Sequence, residues 1–199
     1  MMKKALFLLV LIILSVSLSG QDTERKGFIG LSLGPAFPVG DFADNSLTNG
    51  DAGYAKIGLN LCLVNFGYKF GENFGIAALW SGSAHNFDIA GIDGTWAYGS
   101  LMAGPMMSMP VSERLDFDLK WMIGFVSATF ETNDFGEEDG EGFGWDLGAS
   151  LRYHFTEKWS FLINADYFSA KPELESYGVS RKQKITAINL NIGFAYRLR

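Results

Sequence analysis

Residues 115–129 read Leu-Asp-Phe-Asp-Leu-Lys-Trp-Met-Ile-Gly-Phe-Val-Ser-Ala-Thr. Leu115, Phe117, Leu119, Trp121, Ile123 and Phe125 alternate there with Asp116, Asp118, Lys120, Met122 and Gly124. A period of two belongs to a strand whose two faces meet different surroundings. The same pattern returns along the chain. Phe143, Trp145, Leu147, Leu151, Tyr153 and Phe155 oppose Gly144, Asp146, Gly148, Ser150, Arg152 and His154. Near the end, Ile188, Leu190, Ile192, Phe194, Tyr196 and Leu198 oppose Asn189, Asn191, Gly193, Ala195 and Arg197. Ile29, Leu31 and Leu33 oppose Gly30, Ser32 and Gly34, and Ile57, Leu59, Leu61 and Leu63 oppose Lys56, Gly58, Asn60 and Cys62. Residues 159–170 alternate with exceptions at Leu162 and Phe168. Residues 75–87 and 95–109 alternate weakly and complete the series by position. Eight strands of about ten to fifteen residues are expected, against the roughly 9–11 that a tilted strand needs to cross a bilayer.

The connections sort into two kinds. Residues 71–74, 110–113 and 156–158 are tight turns, whereas 40–53, 88–94, 131–142 and 171–182 are longer, polar and mostly rich in Gly or Asp. Short and long alternate. An antiparallel up-and-down barrel with its short turns on the periplasmic rim and its loops outside gives that order. The composition decides which face points out. The polar face is Gly, Ser, Ala and Asn with a few charges of both signs, which suits the filled interior of an eight-stranded barrel. A soluble barrel would put many Lys and Glu on its outer face instead. Leu, Ile, Phe and Trp are too bulky to converge in so narrow a barrel and suit lipid. Aromatics near strand ends (Phe70, Phe74, Trp96, Phe143, Trp145, Tyr153, Phe155, Trp159 and Tyr196) read as interfacial girdles.

Of 199 residues, 48% are hydrophobic and 19% charged, with 24 Gly and 15% aromatics. That balance points to strands and turns rather than a helical bundle. A polytopic helical membrane protein is excluded, because only the first twenty residues hold a long apolar run. Lys3 and Lys4, the apolar run 5–16 and the small residues before Gln21 have the layout of a secretory signal peptide. Residues 1–20 are therefore expected to be removed, 21–26 to be a short N-terminal segment, and 27–199 to be the barrel. Loss of the two lysines takes the net charge from −6 to −8. An acidic exported chain has nothing with which to neutralise phosphates, so nucleic acid is excluded as a partner. Cys62 is the single cysteine, which excludes an intrachain disulfide and a Cys-rich zinc site.

The chain resembles the small outer-membrane β-barrel domain family, the porin-like and OmpA-like barrels typical of Bacteroidetes. The resemblance covers essentially all of residues 27–199. It rests on the run from Gly34 to Phe42 (Gly-Pro-Ala-Phe-Pro-Val-Gly-Asp-Phe), on Gly67-Tyr68-Lys69-Phe70 before a turn, and on Ala103-Gly104-Pro105. The last strand looks like the family's assembly signal, with Asn191, Gly193 and Tyr196 matching. Leu198 stands where an aromatic is usual, and Arg199 replaces an aromatic carboxy terminus. The resemblance implies an outer-membrane location, lipid as the surrounding partner and the outer-membrane assembly machinery as a partner during biogenesis. It says little about activity.

An interior polar network is expected from Lys56, Asn60, Asp116, Asp118, Lys120, Asp146, Arg152, His154, Asn164, Asp166, Asn189, Asn191 and Arg197, because charges inside a barrel must be paired. Asp118, Lys120, Arg152 and His154 meet when the strands around 131–142 pair. His85 and His154 fall at opposite ends, about 25 Å apart, so one metal cannot use both. The twelve residues 131–142 carry six carboxylates without the spacing of an EF-hand, and read as a solvated loop. Asp41, Asp44, Asn45, Asn49 and Asp51 read likewise. No catalytic, cofactor or metal site is expected. The reading is a non-enzymatic barrel with binding loops of unknown ligand; the alternatives are a lipid-modifying enzyme, which would need Ser or Asp beside a His, and a narrow solute pore.

Overall fold

The computed structural model describes residues 26–89, 92–132, 136–176 and 179–199; the expected signal segment 1–20 lies outside these. Its strands are β1 (Gly27–Pro38), β2 (Gly58–Lys69), β3 (Phe74–Ile89), β4 (Ile92–Ser112), β5 (Leu115–Thr132), β6 (Gly136–His154), β7 (Trp159–Ala170), β8 (Glu173–Ser176), β9 (Val179–Lys182) and β10 (Ile185–Leu198). Consecutive strands from β1 to β7 pair antiparallel, β7 pairs β10, and β10 closes on β1. The result is a closed antiparallel ring of eight strands. Closure matters because it leaves no unpaired edge for lipid to meet.

The seam between β1 and β10 is tight. A Cβ on Gly193 would strike the backbone of Leu31, and one on Gly34 would strike Leu190. Glycine at these two positions lets the last strand lie against the first.

Accessibility fixes which face points inwards. Ile123 is 62% exposed, whereas Lys120, on the same strand, is 2% exposed. Leu31, Leu61, Trp121, Leu147, Ile163 and Ile192 likewise point outwards, while Ser32, Asn60, Asp118, Ser150, Asn164 and Asn191 are buried inside. The apolar residues therefore form an external belt around a polar centre.

Two connections differ from the expectation. Pairing of β3 with β4 continues to Ile89 opposite Ile92, and that of β5 with β6 to Thr132 opposite Gly136. The described residues of segments 88–94 and 131–142 are thus strand, and β4 and β6 reach 21 and 19 residues. The physical reason is that a ladder needs backbone partners only. Beyond the lipid both faces meet water, so alternation fades while pairing persists. The last long connection also holds the β8–β9 hairpin, whose β8 pairs with Asp139, Gly140 and Glu141 of β6.

Candidate functional site: the filled barrel interior

At the end carrying the short turns and the carboxy terminus, charges from two neighbouring strands meet. Arg152 of β6 donates from Nε and Nη2 to both oxygens of Asp118, at 2.6 and 3.0 Å. Its Nη2 also lies 2.9 Å from Asp116 Oδ2 and donates to Ser108 Oγ at 3.2 Å. The guanidinium rests 4.2 Å above the centroid of Phe28. A two-pronged guanidinium–carboxylate contact of this kind is strong and directional. The neighbouring His154 has its Nε2 3.1 Å from Asp116 Oδ2 and its Nδ1 2.7 Å from Ser160 Oγ.

The middle of the barrel is a chain of amides and hydroxyls. Lys120 Nζ donates to Asn65 Oδ1 at 2.8 Å and to Ser150 Oγ at 3.0 Å. Asn164 donates to Ser32 Oγ at 3.1 Å and accepts from Asn65 at 3.4 Å. Asn191 donates to Asn60 Oδ1 at 2.7 Å, and Asn60 donates onward to Ser83 Oγ at 2.8 Å. Asp146, Asp166 and Asn189 are buried in the same zone.

The end facing the long connections is closed differently. The 3-10 turn Gly40–Phe42 drops Phe42 into the mouth. There it meets His85, Trp96 and Tyr98 edge-on, at centroid distances of 5.2, 5.8 and 6.2 Å. Tyr98 stacks on His85 and on Phe168, and Trp96 packs on Phe130. Trp96 Nε1 donates to the carbonyl of Gly53 at 2.8 Å, which ties the first loop to β4. Gln183 donates to the carbonyl of Asp51 at 3.0 Å and ties the last connection to the same loop. Within that loop, Asn49 and the backbone N–H of Ser46 donate to Asp44 and hold its carboxyl below the usual carboxylate range.

Three sequence-based placements are corrected. Trp96 is 1% exposed and belongs to the plug, not to a girdle. Lys56 precedes β2 and is exposed, because the strand begins only at Gly58. Arg197 lies half-buried at the turn end, where its Nη1 donates to the carbonyl of Glu157 at 3.4 Å. The side chains of both therefore lie outside the fully buried zone, although the carbonyl of Lys56 lies 2.9 Å from His85 Nδ1. The remaining eleven residues of the expected network do face the interior, with Asp116 half-buried at the rim.

The aromatic plug escaped the sequence reading for a definite reason. Leu79, Phe87, Trp96, Tyr98, Met102 and Met106 fill inward positions of β3 and β4 among Ser81, Ser83, His85 and Ser100, so apolar residues fall on both faces there and the alternation blurs. The exceptions in β7, Leu162 and Phe168, are interior residues as well. A break in period was the available signal. The acidic stretch is partly paired: Arg181 contacts Glu138 at 3.1 Å, and Thr129 donates to Asp139 at 2.7 Å. Among the described residues no group of three His, Cys, Asp or Glu is placed to hold a metal.

A closed antiparallel ring, apolar outside and filled inside, is an integral transmembrane β-barrel of the outer-membrane type. The profile of the outer membrane protein beta-barrel domain matches residues 6–197, and the chain belongs to that family. It is accordingly a protein of the outer membrane. No curated protein matches it in sequence. Among solved structures it is similar to Ail, the attachment invasion locus protein of Yersinia pestis, crystallised with the heparin analogue sucrose octasulfate. That likeness has 21% identity and a TM-score of 0.51, and covers 87% of this chain and 99% of Ail. It is also similar to Neisserial surface protein A, with 10% identity and a TM-score of 0.56 over 86% of this chain and 97% of the other. At such identities the likeness is one of fold.

Proposed function

We propose that the protein is a non-enzymatic surface protein that binds through the rim built on its long strands, while its interior is a structural plug. One observation carries the reading. The barrel is closed at both ends and the middle, yet β4, β5 and β6 project past the apolar belt and end in a charged rim. Carboxylates dominate there: Glu131, Glu137, Glu138, Asp139, Glu141, Glu173 and Glu175 stand against Lys171, Arg181, Lys182 and Lys184. Such a rim favours a cationic face on its partner.

The test uses cells displaying the protein and surfaces coated with polylysine or heparin. Adhesion to polylysine should fall when Glu131, Glu137 and Glu141 are changed together to Gln, with the heat-modifiable gel shift of a folded barrel retained. Equal adhesion by the variant and the parent would refute rim binding. Conductance above background in a planar bilayer would refute the plug and favour the narrow pore.

A second reading has a specific observation behind it. Ser160, His154 and Asp116 stand in the hydrogen-bonded order of a hydrolase triad. Against it, Ser160 is fully buried and Asp116 is shared with Arg152. A nucleophile has to reach a substrate, and this one faces the packed interior. Ser160→Ala should therefore leave the lipid composition of the outer membrane unchanged. A lipid product that disappears in that variant would establish the enzyme.

A further inference from the structure

The interior holds an acceptor surplus that its own hydrogen bonds do not resolve. Asp116, Asp118, Asp146 and Asp166 supply four carboxylates against two permanent cations, Lys120 and Arg152. Arg152 is committed to Asp116 and Asp118, as is His154 to Asp116. Lys120 donates to Asn65 and Ser150. Among the described residues no ion pair reaches Asp146 or Asp166.

Among the described residues three buried side-chain atoms lack a hydrogen-bond partner, and all three are oxygens: Oδ1 of Asp146, of Asn189 and of Asn191. Their residues are 1%, 5% and 2% exposed. They also share one sector of the wall. Asp166 lies directly opposite Asn189 of β10 on one side and Gly148 of β6 on the other. Asp146 is the next inward residue of β6 before Gly148, and Asn191 the next inward residue of β10 after Asn189. A Cβ on Gly148 would strike Asp166 Oδ1 and come within 3.4 Å of Asp146 Oδ1. The two carboxylates thus converge over the residue that has no side chain.

We propose that Asp146, Asp166 and the amide oxygen of Asn189, with Asn191 beside them, form an interior site for a hard divalent cation of the calcium class. Two buried carboxylates this close together are costly unless a proton or a cation offsets their charge, and Lys120, whose charge reaches both, donates its hydrogen bonds to Asn65 and Ser150 instead. An oxygen-only donor set that mixes carboxylates and amide carbonyls suits calcium, which tolerates irregular geometry, and does not suit zinc. The site lies inside the barrel, apart from the acidic rim.

The test refolds the protein into detergent micelles with either EDTA or millimolar Ca²⁺ and reads the denaturant midpoint. Ca²⁺ should raise the midpoint of the parent chain. The rise should vanish in Asp146→Asn and Asp166→Asn, and persist in the rim variant Glu141→Gln/Glu175→Gln. Equal midpoints in EDTA and Ca²⁺, or a rise that survives both interior substitutions, would overturn the site. Should the interior variants fail to fold, the parent and the rim variant decide by Tb³⁺ luminescence. Tyr98 stacks on Phe168, which lies opposite Asp146, and is the nearby sensitiser. Luminescence displaced by Ca²⁺ in both supports the site; luminescence absent from either overturns it.

Discussion

Arg152→Met is expected to destabilise the folded barrel by about 3–5 kcal/mol, since it leaves buried carboxylates without their cation. The loss should be read from the urea midpoint of tryptophan fluorescence in refolded protein. Arg152 donates to both oxygens of Asp118, which is completely buried, and to the half-buried Asp116. Deleting the guanidinium also removes its contact with the Phe28 ring. The matched replacement discriminates the cause. Arg152→Met combined with Asp116→Leu and Asp118→Leu removes charge of both signs and should recover much of the loss, because an apolar core can substitute for a buried ion pair. If the single variant unfolds at the parental midpoint, the network contributes nothing to stability.

Leu147→Arg should cost about 2–4 kcal/mol, the depth-dependent penalty for a cation on the lipid face near the bilayer midplane. Leu147 lies opposite Trp121, midway along the run of outward apolar residues from Phe143 to Tyr153 on β6. Ser127→Arg is the companion variant. Ser127 also points outwards, but beyond Phe125 at the upper edge of the belt, and it faces Glu141. Its cost should be about 0–1 kcal/mol. Unfolding in lipid vesicles measures both. Equal costs at the two positions would mean that the belt does not sit where the side chains place it.

Much of this molecule is legible in the chain itself. Alternation in 115–125, 143–155 and 188–198 marks strands and also their outward face, because lipid demands apolar side chains at every second residue. Legibility ends where one of the two solvents changes. Above the lipid, Glu131 and Glu137 pair across β5 and β6 although neither shows a strand pattern. Inside β3 and β4 part of the interior is itself apolar, so Trp96 reads as a girdle residue when it is a plug.

The candidate site divides along the same line. Periodicity brings Asp118 and Arg152 to one face, and strand pairing across the β5–β6 turn is local enough to foresee their meeting. The partners of His154 and Lys120 are a different matter. Ser160 reaches His154 across the β6–β7 turn, and Asn65 reaches Lys120 from the far wall, 55 positions away in sequence. Phe42, from a loop that reads as solvated, fills the mouth.

By itself the sequence determined the class of fold, the number of strands in the ring and the solvent each face meets. All three depend on local alternation, which backbone pleating converts directly into facing. Only the tertiary structure decided how the interior is filled, which acids remain unpaired there and where Phe42 goes. Those depend on closure, which brings strands remote in sequence to within a side chain's length of one another.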